Sequence, residues 1–335
     1  MTSKEGLLFG TAGIPRSSKA LTTQSGIERI SVRSGWHGKK ISDDYEDYLK
    51  FKPPSKAIHK ACIDFGGSAD DVKEKIDQLT EKEFDKVKVA WQGTRMHFLT
   101  ESIYPDIASP ERPRVMLLFS NPHPDSVEKG LFMSEKSSIG FWKILRDISC
   151  LDIKHNFCWD SNDSIQKTVS LLLNGRYGNC KSPLLFFDCL YQIPSRLPDY
   201  LKKLFIKSGD FDSYIHRPSL ERIGKIINKF EIKTVLVFER ETFDSIVAEP
   251  GASKCSREIL RFSVKNANGN EEAFWKCIDK SKLRRIAALQ GLNHSCTAIK
   301  VIDTRGKDWW KDEGQGHSVF SRVLEYSLKY AAETT

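Results

Sequence analysis

"RVMLLFSNPHPDSVEKGLFMSE", residues 114–135, sets the architecture of the chain. Val115–Phe119 is an unbroken apolar run without alternation, the pattern of a strand covered on both faces. It then stops abruptly. Pro122 and Pro124 each lack an N–H and fix φ, so neither a strand nor a helix continues through Asn121–Pro124. In open α/β sheets the ends of such strands are where the binding crevice forms. The stretch after Ser120 is therefore a binding loop or a rigid surface turn.

Outward from this stretch, strand and helix patterns alternate. "SPLLFFDCLYQIPSR" (182–196) is a second buried strand ended by proline, "KTVLVFE" (233–239) a third and "TAIKVID" (297–303) a fourth. Between and after them lie amphipathic helices. "GFWKILRDIS" (140–149) puts Phe141, Ile144, Leu145 and Ile148 on one side, and "SLERIGKIINKF" (219–230) does the same with Leu220, Ile223, Ile227 and Phe230. "HSVFSRVLEYSLKYA" (317–331) closes the chain as a helix. Thr80 and Glu83 in "LTEKEFDKVKVAW" (79–91) form a capping box, which predicts a helix burying Phe84, Val87 and Trp91. "EILRFSVKNANGNEEAFWKCID" (258–279) reads as a hairpin. The fold class expected is α/β: three layers, α/β/α, around a central, mostly parallel four-stranded sheet.

Composition narrows the function classes. With 39% hydrophobic and 29% charged residues the chain is expected to fold as a soluble globule, and no apolar run approaches a membrane span. The expectation is a cytoplasmic monomer with no membrane partner. Eight cysteines are scattered without C-x-x-C spacing, which predicts free thiols rather than a metal cradle. No G-x-G-x-x-G or Walker-type loop follows any strand, so no nucleotide cofactor is expected. Residues 251–311 hold 13 Lys/Arg against 6 Asp/Glu, a net +7 of the whole chain's +8, interleaved with Phe262, Phe274, Trp275, Trp309 and Trp310. Cations with aromatics suit a phosphate backbone and exposed bases, or simply form a solvated basic face.

"LLFSNPHPDSVEKGLFMSE" (117–135) resembles the first motif of the uracil-DNA glycosylase superfamily, in which a strand ends in an Asn-Pro or Asp-Pro loop followed by Gly-Leu and an aromatic. The second and third strands are similar to that family's next two, and "AIKVIDTRGKDWW" (298–310) stands where the family carries its DNA-inserting loop. The resemblance spans roughly 110–330 and implies a domain of that type over 66–335. It implies a monofunctional glycosylase, without metal or other cofactor, that extrudes a damaged or deaminated base from DNA and hydrolyses its N-glycosidic bond. Residues 1–65 are expected to be a poorly ordered extension. Within it, "LLFGTAGIPRSSKALTTQSGIERI" (7–30) resembles the opening of endonuclease IV, a fragment to which no activity is assigned.

The resemblance assigns roles residue by residue. Asn121 would orient the attacking water, and Asp303, opening the last loop, is the second catalytic candidate. Gly130 would let the backbone approach the base, and Phe132 or Met133 would stack on it, unless both belong to the core. His123 would contact substrate or phosphate, and Asp188, at the end of the second strand, would read the base edge. Arg305, Lys307, Trp309, Trp310 and Arg196 would face the DNA.

Two departures stand out. The final loop reads Asp303-Thr304-Arg305-Gly306 where the family usually has His-Pro-Ser, with His294-Ser295 as a second candidate for that pair; and Asp188 replaces an asparagine. The Asp188 replacement argues against ordinary uracil specificity, and the altered final loop supports an alternative: a binding module on the same fold without turnover. A weaker alternative joins Asp125, Asp188 and Asp303 around Mg²⁺ in a phosphodiesterase.

Overall fold

Val115, Met116, Leu117 and Leu118 have no solvent exposure, because the strand they form, β4 (Arg114–Phe119), runs through the middle of a sheet covered on both faces. The computed structural model describes residues 45–79, 89–106, 111–134, 139–158, 160–207, 209–248, 284–285, 289, 291–301 and 324–332. In chain order the elements are α1 (Tyr45–Lys50), β1 (Ile58–Asp64), α2 (Ala69–Gln78), β2 (Val89–Gln92), β3 (Arg95–Glu101) and β4. They continue with α3 (Pro124–Lys129), α4 (Ile139–Asp147), α5 (Asn162–Leu173), β5 (Leu184–Cys189), α6 (Pro198–Lys202) and α7 (Arg217–Lys229). The remainder are β6 (Thr234–Val237), α8 (Arg240–Val247), β7 (Arg284–Arg285), β8 (Thr297–Lys300) and α9 (324–332).

The main sheet has the order β5-β4-β6-β8-β7. Its first four strands are parallel, as expected, and the two-residue β7 adds an antiparallel edge. Side chains alternate between the faces, so each strand feeds two cores. Val115, Leu117, Leu185, Phe187, Leu236 and Ile299 pack with α4, α5 and α9 on one face. Met116, Leu118, Phe186, Val235, Val237 and Ala298 pack with α2, α7 and α8 on the other. On α4 and immediately after it, Phe141, Ile144, Leu145 and Ile148 are all fully buried, as their spacing predicted. On α7, Ile223 and Ile227 are fully buried, while Leu220 and Phe230 pack at the margin.

A second sheet was not foreseen. β1, β3 and β2 form an antiparallel sheet in that order. β2 and β3 make a hairpin whose two-residue turn begins at Gly93, with φ +60°, a conformation that suits glycine. Trp91 therefore lies in a strand opposite Met96 and not on the expected helix; residues 80–88 of that helix lie outside the described residues. Beyond β3 the chain reaches the main sheet, where Ile103 pairs antiparallel with Phe187 of β5. The hairpin expected at 258–279 also lies outside the described residues.

The expected boundary at residue 65 is too late. β1 pairs with β3 along all seven of its residues, and Tyr48 of α1 is 1% exposed, its hydroxyl donating to Phe98 O at 2.8 Å. Both belong to the compact unit that spans 38–335. Low hydrophobic periodicity hid them, because β1 buries only its first residue fully and is held by its ladder. The resemblance to endonuclease IV at 7–30 lies outside the described residues. Among the described residues six cysteines are free thiols, and burial pushes that of Cys189 well up, which keeps it inert. No described helix is long and apolar enough to cross a membrane.

Removing residues 1–64 strips β1 and the Tyr48 anchor from the second sheet. Thermal melts of that truncation and of one ending at residue 44 should differ, with the Tm of the shorter chain lower by several degrees.

Candidate functional site at the carboxyl edge of the parallel sheet

β4 precedes both of its neighbours in sequence, with β5 on one side and β6 on the other. The loops leaving β4 and β6 thus diverge, and the carboxyl ends of these two strands are the switch point at which such sheets bind ligands. Its floor is aromatic. Phe119, which ends β4, and Phe238, which follows β6, stack with ring centroids 4.5 Å apart.

The prolines after β4 build a short helix. His123 is its N-cap, in an extended conformation, with Nδ1 accepting from the Asp125 N–H at 3.3 Å. Pro124 opens α3, where a missing N–H costs nothing, and Gly130 ends it at φ +95°. His123 thus caps a helix, and Asp125 sits in its first turn with a half-exposed side chain.

Asn121 is held by the loop that leaves β5. Leu190 N–H donates to Phe119 O, Tyr191 N–H to Ser120 O and Ser195 N–H to Pro122 O, so the two loops run zipped together. Asn121 Nδ2 faces three acceptors: Ser195 O at 2.5 Å, Ser195 Oγ at 3.0 Å and Pro122 O at 3.2 Å. Two of these are carbonyls, which only accept, so the nitrogen and not the oxygen of the amide must face them. Oδ1 is left on the other side, and no described residue donates to it. A half-buried acceptor with a fixed direction is suited to orienting a water.

The other proposed base contacts are corrected by their surroundings. Gly130 approaches its own protein: a Cβ there would lie 3.0 Å from Ser55 Cβ, and Ser55 Oγ donates to Gly130 O at 2.5 Å. Its freedom serves the helix end and this close contact. Phe132 is 1% exposed and packs between Phe119 and Phe187, which leaves no ring face for a base. Met133, at φ +51°, is partly buried against the same core.

Asp188 does not share a crevice with Asn121. Alternation along β5 turns it to the α7 face, where it is 1% exposed. Arg222 Nη1 donates to both of its oxygens, at 3.0 and 2.8 Å, and Tyr104 Oη donates at 2.5 Å. Arg222 Nη2 reaches the carbonyls of Cys189 and Leu190. Burial opposes the charge on Arg222, but the facing carboxylate more than offsets this and holds the guanidinium above its ordinary pKa. Burial together with the neighbouring carboxylate pushes the Tyr104 phenol up. Asp188 is thus the anion of a buried ion pair, a poor base reader and a poor metal ligand. The carboxylate trio proposed for Mg²⁺ loses its central member, and no group of three or more metal-ligating side chains occurs among the described residues.

Arg196 is exposed immediately after Ser195, on the correct edge. His294 and Ser295 precede β8 and lie at the opposite end of the sheet, with His294 Nε2 2.9 Å from Ile232 O. They are excluded as a loop beside Asn121. Asp303, Arg305, Lys307, Trp309 and Trp310 lie outside the described residues. Ser195 and Lys300 were missed by sequence reading. Lys300 is 9% exposed, and its ammonium donates to Phe238 O and Val301 O, joining the carboxyl ends of β6 and β8. Its signal was a lone cation inside the apolar run "TAIKVI". A small cleft between α4 and α5, lined by Trp142, His155 and Phe157 among others, takes no residue from these loops.

Arg222→Ala leaves the Asp188 charge buried without its cation and should lower unfolding stability by about 3–5 kcal/mol. Asp188→Asn should be destabilising too, and denaturant titration should show the double variant losing less than the two single losses combined. The chain matches no protein-family model and no curated protein.

Proposed function

We propose that the protein is a DNA glycosylase of the uracil-DNA glycosylase type, acting on a deaminated or damaged base. One observation carries the reading: the amide of Asn121 is fixed by three acceptors at the switch point of a parallel sheet, with Oδ1 free of any described donor. In the reaction a water oriented by Oδ1 would bond to the sugar carbon as the carbon–nitrogen bond breaks. The electron pair leaves with the base, which takes up the water's proton. Support comes also from the order of events in the sequence, a strand, an Asn-Pro loop and Gly-Leu-Phe, and from the basic, aromatic segment 251–311. The base reader is not Asp188, so it must come from another element.

A second reading has its own support. Where the family carries its base-reading and stacking residues, this chain has an ion-paired Asp188 and a core Phe132. Those two substitutions of role favour a nucleic-acid-binding module that turns nothing over.

The deciding experiment is incubation with duplexes containing uracil, hypoxanthine, xanthine or a thymine mismatch, followed by alkali cleavage of abasic product. The glycosylase reading expects cleavage of at least one duplex. It also expects Asn121→Ala to lower the single-turnover rate about a hundredfold or more with little change in affinity, since the lost contact acts in the transition state. DNA binding without product from any duplex gives the module reading. In either case affinity should fall steeply with salt, and Arg196→Ala, like Arg305→Ala or Lys307→Ala, should reduce the log–log slope by about one. Salt-independent binding would remove DNA as the partner.

A further inference from the structure

We infer that Ser195 is the positioning residue for Asn121, fixing which end of its amide meets the water. The inference rests on the proposed glycosylase reading and deepens it, adding a residue that neither the strand pattern nor the first motif announces.

Ser195 is 1% exposed and makes four hydrogen bonds with described residues, all within the two zipped loops. Its N–H donates to Pro122 O at 3.1 Å, and its Oγ donates to Leu197 O at 2.8 Å. Because that hydroxyl proton is committed, Oγ offers only lone pairs to Asn121, as Ser195 O also does. Both acceptors of one residue thus select the nitrogen of the amide. A flipped Asn121 would set its oxygen against two or three others at contact distance, an arrangement with no proton between them. The consequence at the site is directional. Oδ1 is turned away from Ser195, with no described residue donating to it, and the donor that would compete with water is kept on the inner side. Pro194 and Pro198 bracket Ser195 and restrict the backbone that presents these atoms.

The test compares wild type, Ser195→Ala, Ser195→Thr, Asn121→Ala and the Ser195→Ala/Asn121→Ala double variant in single-turnover excision and in DNA binding. Ser195→Ala should lower the rate about three- to tenfold, the worth of one hydrogen bond, with DNA affinity unchanged. Ser195→Thr, which keeps Oγ, should restore most of it. The double variant should be no slower than Asn121→Ala, because a positioning residue has nothing left to position. A wild-type rate in Ser195→Ala, or losses that add in the double variant, overturns the inference. Asn121→Asp gives an independent arm that leaves Ser195 intact. Only the protonated acid can donate to Ser195, so this variant should be most active at low pH and lose activity as pH rises; a rise with pH overturns the inference. If no duplex is cleaved, or Asn121→Ala is as active as wild type, it is the glycosylase reading that fails. The geometry is then read alone, from the Asn121 side-chain amide resonances. Their exchange with solvent should be slow in wild type and faster in Ser195→Ala, and equal exchange in the two overturns the inference.

Discussion

A carboxylate placed inside a parallel sheet has to be neutralised where it stands, and the cation that does so also organises the loops around it. Asp188 lies on β5 with almost no exposure, and Arg222 reaches it from α7. The same guanidinium takes the carbonyls of Cys189 and Leu190, the point at which β5 ends. From there the backbone zips against the exit of β4 and delivers Ser195 to Asn121. The ion pair thus ties a helix on one face to the loop that carries the candidate chemistry. Its net contribution to stability against an apolar replacement is small, because burying both charges costs nearly what their attraction returns. Its value is geometric: removing either partner leaves a charge that only a rearranged loop could solvate.

The main sheet was legible because each of its long strands is wetted on neither face. Continuous runs such as Val115–Phe119 and Leu184–Phe187 have few other interpretations, and the amphipathic stripes of α4 and α7 fixed which layers cover them. The second sheet was not legible for the opposite reason. β1 alternates weakly, exposes most of its side chains and owes its place to backbone pairing with β3, which leaves no periodic trace. Trp91 was misread because its spacing from Phe84 and Val87 suits a helix, while its pairing with Met96 leaves no trace in the sequence.

The site divides along the same line. Asn121 stood out as a candidate because two prolines follow it within three residues, a constraint written into the chain. Asp188 was found as a residue but misplaced in role. Strand alternation turned it to the α7 face, and its partner Arg222 lies 34 positions on, in a helix whose apolar stripe drew the attention. Gly130 and Phe132 kept the motif's spelling while the fold used them for a helix end and an aromatic core. Ser195 had no signal of its own. A serine between prolines is ordinary, and only the register of two loops makes its acceptors converge on one amide.

The contact between Ile103 and Phe187 has a consequence for how copies of this chain behave together. An open sheet edge is a template on which another chain can extend, and a flank of β5 left bare would present a row of unpaired amide and carbonyl groups. The bridge at Ile103 takes up the amide and the carbonyl of Phe187 on that flank with the protein's own backbone. At that point of the edge, in the middle of β5, a second chain finds no free backbone to pair with.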